Sequence, residues 1–310
     1  MAKEVKDPGL GVKYYQKARR IINKDGSFNV HRIGVESRGK AMYHWLLTTS
    51  WTNFLVMLIG LLLGINVVFA VVYFLIGVEH ISGAVPLGGT KDFATTFFFS
   101  VQTFTTVGYG ALSPEGMLTS MVASLEALTG LMISAMATGL LFARFSKPSA
   151  NILYSESLLI TPYRGSSTPS LQFRIANKRK NTLMEMEAIV IFAIEQKEED
   201  GLFHRHYYEL TLEIDKIHFF PLSWTIVHVI DADSPLYGVT KEEMLENEAE
   251  VLILTKGYDD SYGEVLHSRH SYYVSEFVWD KRFKRAYRVN KEGNFVMDLK
   301  DLHATEPIFE

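Results

Sequence analysis

The residues best placed to do chemistry are Thr105-Thr106-Val107-Gly108-Tyr109-Gly110, a short run in a polar gap between two long apolar stretches. Gly108 and Gly110 take backbone angles that side chains forbid, so successive carbonyls there can aim at one line. Thr106 adds a hydroxyl to the row, and Val107 and Tyr109 then point away from it. A ladder of oxygens is what a dehydrated cation needs in place of its water shell. Gly-Tyr-Gly alone would read as a common glycine-rich turn; Thr-Thr-Val ahead of it and the flanks argue otherwise. One chain carries one copy, so a closed ring of carbonyls requires four chains about an axis, a homotetramer.

The pentapeptide Thr106–Gly110 is the known signature of potassium-selective pores, and the ion is named on the strength of that signature. K+ is expected at Thr106, Val107, Gly108 and Tyr109 as the permeant ion, with no further cofactor.

The flanks supply the scaffold. Phe54 to Ile76 contains no charge and is long enough to cross a ~30 Å hydrocarbon core at ~1.5 Å per residue. Met117 to Phe145 carries only Glu126 and Arg144 as charges and more than spans the bilayer, so tilt or an extension into water is expected. Between them, Lys91 to Phe104 reads as a re-entrant pore helix too short to span. Its C-terminal end carries partial negative charge, which favours a cation. Gln102 and Thr103 are expected to frame the filter from behind. Gly77 to Thr90 reads as an extracellular turret and Ala111 to Gly116 as the outer mouth. The residues before Ser50 hold ten Lys or Arg, whereas Gly77 to Glu115 holds only Lys91. That bias puts both termini in the cytoplasm and makes the chain a multi-pass protein of the inner (plasma) membrane. A cleaved signal peptide is not expected, because the first apolar run begins too late.

Helical spacing back from Phe142 places Thr138, Ser134 and then Leu131 or Ala127 on one face of the second span. Four Phe142 rings on the axis would close the pore by dewetting; packing between helices is the alternative. Glu126 admits two readings, a functional acid within the membrane and a hydrogen-bonded part of the pore scaffold. Gly60 and Gly64 suit close helix packing.

Four segments follow: a mobile N-terminal tail at 1–35, an amphipathic interfacial helix at 36–48, a two-helix pore domain at 49–146 and a soluble domain at 147–310. Some of the tail is expected to pair with the soluble domain. The last segment holds short β-branched or aromatic runs at 158–161, 171–176, 188–194, 207–214, 224–230, 251–254 and 272–279, separated by turns. They suggest an immunoglobulin-like β-sandwich.

This layout resembles the inward-rectifier potassium channel family, in particular its prokaryotic KirBac branch. The resemblance rests on Thr106 to Gly110, on Gly139 to Pro148, on Ser223 to Gly238 with its Asp233-Ser-Pro-Leu-Tyr237, and on Ser268 to Trp279. It implies a passive K+ channel gated at the inner-helix bundle, with Phe142 at the gate and Ser134 and Thr138 in the cavity. Strongly rectifying relatives carry an acid where Ser134 stands, so strong voltage-dependent block is not expected. Glu185 and Glu276 match acids that ring the cytoplasmic vestibule, or are ordinary solvated strand ends. Arg38, Lys40, Arg144, Lys147, Arg179 and Lys180 match bases that meet anionic lipid, at ~1 kcal/mol each.

Other functions fit poorly. A net charge of −4 and the lack of a basic helix argue against nucleic acid. With no cysteine there are no disulfides or thiolate metal sites. His204, His206 and His270 lack metal-ligand spacing and a nucleophile partner, so an enzyme is not expected. Protonation of His228 or His270 would make gating pH-sensitive. A Gly-x-Gly-x-x-Gly turn and an Arg-repeat helix are both missing, which argues against nucleotide gating and voltage sensing.

Overall fold

The computed structural model describes residues 3–17, 20–31, 33–34, 38–146 and 151–308, except the side chains at 3 and 38–41. In chain order the elements are β1 (Lys3–Val5), β2 (Lys13–Tyr14), α1 (Arg38–Thr48), α2 (Trp51–Ile76), β3 (Ile81–Ser82), α3 (Thr90–Phe104), β4 (Ser113–Pro114) and α4 (Met117–Phe145). Beyond them lie β5 (Ile152–Tyr154), β6 (Leu158–Pro162), β7 (Pro169–Asn177), β8 (Leu183–Lys197), β9 (Phe203–Glu209), β10 (Lys216–Phe219) and β11 (Ser223–Val229). The short α5 (Lys241–Glu246) precedes β12 (Glu250–Asp259), β13 (Glu264–Tyr273) and β14 (Phe277–Trp279). These elements form two compact units, Gly34–Lys147 and Met1–Ile33 with Pro148–Glu310.

In the helical unit, α2 and α4 are each long and apolar enough to cross a membrane. α2 starts where the Ser50 hydroxyl accepts from the Asn53 amide at 3.3 Å, and it ends at Gly77 with φ 114°. Its buried residues are Phe54, Asn66, Ala70 and Tyr73, the last three at helical spacing on one face. α4 buries Thr119, Ala123, Glu126 and Gly130 as one stripe. α3, at 15 residues, is about 22 Å long and falls short of the hydrocarbon core. β3 and β4 pair through Ile81↔Pro114 and Ser82↔Ser113, which ties the loop before α3 to the loop after the filter run.

The second unit is a β-sandwich. One sheet runs β1-β9-β8-β12-β13, with β2 also on β9 and β10 on β8; the other runs β11-β7-β6-β14, with β5 on β7. All these pairs are antiparallel except β14 with β6. Side chains alternate along the strands, so Val190, Phe192, Val251 and Ile253 of the large sheet meet Leu171, Phe173, Ile175 and Ile226 of the small one. The residues between them, Ile191, Ala193 and Leu252, point out of the sandwich.

That outer face is covered by part of the N-terminal segment, in line with the expected pairing of some of it with this domain. β1 extends the large sheet through Lys3↔Glu209 and Val5↔Tyr207, and Ile22 is buried with Ala193, Tyr207 and Leu252. Val5, Leu10 and Ile21 pack around them. The apolar residues are too far apart for a periodic signal, yet each meets an outward-facing apolar side chain of β8, β9 or β12. Beneath the segment, the fully buried Arg205 guanidinium lies 3.2 Å from Glu250 and 3.8 Å from Glu195. The Ile21 amide donates to Glu250 at 3.2 Å.

The expected strand at 207–214 sits earlier, as Phe203–Glu209, and β10 adds a strand outside the expected set.

Candidate ion-conduction site

α3 positions the filter run. At its end the Thr105 amide donates to Val101 O at 3.0 Å, Thr106 to Thr103 O at 3.1 Å, and Val107 and Gly108 to Gln102 O at 3.1 and 3.4 Å. The carbonyls of Gln102 and Thr103 thus hold the amides at the start of the glycine-spaced run. The run's backbone alternates, with φ +60° at Thr106, +49° at Gly108 and +83° at Gly110, and negative φ between. In an ordinary strand successive carbonyls point opposite ways, and this alternation removes that reversal. Thr106 is β-branched, and its left-handed angle is the kind of strain that persists at functional sites. A Cβ at Gly108 or Gly110 would meet nothing of its own chain within 4 Å, so within the chain glycine is needed there for its angle. Residues 105–110 are all exposed on the single chain.

Glu126 is buried and hydrogen-bonded to α2 and α3. It accepts from the Tyr73 hydroxyl at 2.6 Å and from the Ser100 hydroxyl. Ser100 Oγ also lies 3.1 Å from Asn66 O and 3.2 Å from Asn66 Oδ1, and the Asn66 amide group donates to Leu62 O at 2.7 Å. One turn along α4, a Cβ on Gly130 would collide with Phe104 O, so α4 lies directly on the end of α3. The sequence carries a signal for this network: Asn66 and Tyr73 are polar groups in an otherwise apolar span, and they share a face with each other.

Ser134, Thr138 and Phe142 follow one another at four-residue spacing on α4, and all three are exposed on the single chain. Thr138 Oγ1 donates back to Ser134 O at 2.9 Å.

Arg144 reaches back to α1: its two terminal nitrogens donate to Leu46 O and to Thr49 O, the latter at 2.7 Å. The guanidinium carbon lies 4.8 Å from the Trp51 ring centroid and 4.5 Å from that of Phe54. Arg144 thus supplies the positive charge that the carbonyl end of α1 favours, and it clasps α1 to the base of α4. Of the other basic candidates, Lys147 lies outside the described residues, as do the side chains of Arg38 and Lys40. Arg179 and Lys180 stand exposed on the turn between β7 and β8.

The Glu276 side chain is only 13% exposed and is held by Arg20 at 3.1 Å and Lys24 at 2.5 Å. It also accepts from the backbone amide of Tyr273 at 2.9 Å. An acid compensated twice in this way latches the N-terminal segment to the sandwich. Glu185 is exposed, but Lys216 at 2.6 Å and His218 at 2.7 Å share its charge. Those bonds, the one from Lys216 first, hold its carboxyl below the usual range.

His228 and His270 are both buried. His228 bonds Thr211 O at 2.7 Å and Ser234 Oγ at 2.8 Å, and burial lowers its pKa. His270 bonds Lys24 O at 3.1 Å and stacks on Tyr154 at 4.4 Å; burial pushes it down to about 4. Both rings are neutral at pH 7, so they would respond only to acid.

Comparison with known proteins adds an independent finding. The model of the inward rectifier potassium channel transmembrane domain matches residues 22–148, and that of the inward rectifier potassium channel C-terminal domain matches residues 152–309. The chain is 36% identical over 295 residues to inward rectifier potassium channel Kirbac3.1 of Paramagnetospirillum magnetotacticum, covering 94% of this chain and 98% of that one. It is 24% identical over 315 residues to inward rectifier potassium channel irk-1 of Caenorhabditis elegans, covering 94% of this chain and 58% of that one. To the human inward rectifier potassium channel 4 it is 24% identical over 330 residues, covering 94% and 73%.

Proposed function

The chain belongs to the inward rectifier potassium channel family, in its prokaryotic branch, and from that premise we propose that four copies surround one axis with Thr106–Gly110 as the K+-coordinating lining. The observation that carries this reading is the alternating backbone of Thr106, Gly108 and Gly110, with the amides of Thr106, Val107 and Gly108 turned back onto α3. Amides engaged on one side leave carbonyls available on the other. Four strands of this kind replace the hydration shell of K+, the permeant ion; no other cofactor enters the reading.

In the same reading the exposed stripe of Ser134 and Thr138 lines a cavity, and four Phe142 rings close it toward the cytoplasm. α1, with Met42, Tyr43 and Trp45 exposed, lies at the inner membrane surface. The excess of Lys and Arg before Ser50 supports cytoplasmic termini in the plasma membrane. The two mainly antiparallel sheets support an immunoglobulin-like form for the cytoplasmic sandwich. Arg38, Lys40, Arg144, Lys147, Arg179 and Lys180 are the candidates for anionic lipid, each contributing ~1 kcal/mol near a charged surface. Glu185 and Glu276 are the vestibule candidates. The segment divisions at residues 36, 49 and 147 belong to the same proposal.

Ion flux into proteoliposomes tests it, with and without anionic lipid, for the wild type and Phe142→Ala. The expected result is Ba2+-sensitive K+ flux well above Na+ flux, changed by anionic lipid and raised in Phe142→Ala. Equal Na+ and K+ flux through assembled tetramers rejects the filter. Unchanged flux in Phe142→Ala rejects the gate alone.

A further inference from the structure

We infer that Glu126 is a positioning residue for ion selection, a carboxyl that locks the pore helix between the two spans and thereby sets the filter carbonyls. The inference rests on the reading of Thr106–Gly110 as the filter.

Glu126 comes from α4, Tyr73 and Asn66 from α2, and Ser100 from α3. Three of the four are fully buried, and Asn66 is 4% exposed. The two carboxyl oxygens divide their donors, with Oε2 taking the Tyr73 hydroxyl and Oε1 the Ser100 hydroxyl. Burial of polar groups requires that they be bonded, but it does not require polar groups here at all. Apolar side chains of the same size would pack as well without the desolvation penalty. What a carboxyl adds is direction. Apolar contacts tolerate rotation and sliding of one helix on another, whereas two bonds from one rigid group to donors on two helices fix both.

The path from this lock to the ion is short. Ser100 stands two residues before Gln102, whose carbonyl receives the amides of Val107 and Gly108. One turn along α4, Gly130 brings that helix against Phe104, the last residue of α3, at a separation no Cβ could share. α4 therefore holds α3 at two levels, by a bond at Ser100 and by backbone contact at Phe104. The Tyr73 ring stacks edge-on against Phe99 at 4.9 Å and completes the grip on α3. Freed at Ser100, α3 can turn about the lower contact and carry Gln102 O with it. The spacing of the carbonyl ladder then loosens, and a site that tolerates more positions discriminates less between K+ and the smaller Na+.

The test uses the full chain as Tyr73→Phe, Ser100→Ala, Glu126→Leu and Glu126→Gln. Each is checked for wild-type assembly size and then reconstituted for separate K+ and Na+ flux. Tyr73→Phe, Ser100→Ala and Glu126→Leu are expected to lower the K+ over Na+ flux ratio severalfold in assembled channels. Glu126→Gln, which can still bond both hydroxyls with one of them reversed, is expected to keep the ratio near wild type. A merely structural role would lower yield and thermal stability and leave the ratio of the surviving channels unmoved, and that result overturns the inference. So does Glu126→Gln as damaging as Glu126→Leu. Tyr73→Phe and Ser100→Ala each remove a single oxygen, so they decide the matter if Glu126→Leu does not assemble. A wild type without K+ preference refutes the filter reading itself, which is a different outcome.

Discussion

Acid should loosen the β-sandwich unit through His270, and the size of the effect follows from its burial. The ring sits under the N-terminal segment, stacked on Tyr154, edge-on to Tyr272 at 4.7 Å and bonded to Lys24 O. Arg20, Lys24 and Glu276 are the charges around it. Burial holds its pKa at about 4, against about 6.5 for an unfolded histidine. The unfolded chain therefore binds the extra proton first as pH falls. The stabilisation is fully present above about pH 6.5 and is gone below about pH 4, a total on the order of 3 kcal/mol, of which about 2 kcal/mol is lost by about pH 5. His228 shifts in the same direction and adds to the loss, so the contribution of His270 is best read as a difference between proteins. Guanidinium unfolding of the detergent-solubilised full chain, followed by fluorescence at about pH 7.5 and about pH 5, supplies it. The wild type should lose about 2 kcal/mol more than His270→Phe, which keeps the ring stacking and removes the titration. Equal losses in the two proteins would refute the assignment.

Other consequences are open to direct measurement. Arg144→Lys keeps the charge but loses the two-pronged bond to Leu46 O and Thr49 O, so K+ flux should fall about as far as in Arg144→Ala; normal flux in the lysine variant would refute the role of that clasp. Gly108→Ala meets no neighbour but forces a left-handed angle on an L-residue, at about 1–2 kcal/mol per chain, and K+ selectivity should be lost while assembly persists. Glu276→Gln weakens the latch on Arg20 and Lys24, so tryptic cleavage between Lys13 and Lys24 should quicken severalfold while pore-blocker affinity stays constant. A fall in blocker affinity with unchanged cleavage would refute the latch and favour the vestibule role.

The parts of this molecule legible in the sequence are those with a strong local signal. Two long apolar runs, one free of charge and one with only Glu126 and Arg144, a glycine-spaced run between them and short β-rich segments separated by turns each follow from local chemistry. Phe142 and Ser134 fall on a shared stripe by counting alone. The particular contacts of Arg144, of Glu276 and of the apolar residues in the N-terminal segment escape such reading for one common reason. Each is defined by partners distant in sequence, and a basic residue beside a membrane span looks the same whether it faces lipid phosphate or a helix end. Arg144 reaches back to Leu46 and Thr49, and Glu276 to Arg20 and Lys24. For Glu126 the sequence offers a choice between function and scaffold. The Tyr73 and Ser100 hydroxyls resolve its contacts, because their positions depend on how three helices pack.

The pairing of Lys3–Val5 with Phe203–Glu209 makes the membrane unit an insertion within the soluble one. During synthesis the opening strand leaves the ribosome with no mate, and both spans must enter the bilayer before its partner is made. Closure of the large sheet is thus a late, long-range event, of the kind that slows folding and leaves an edge open to wrong neighbours. A bulky tag fused ahead of residue 3 would burden that final joining step more than it would burden insertion of the pore.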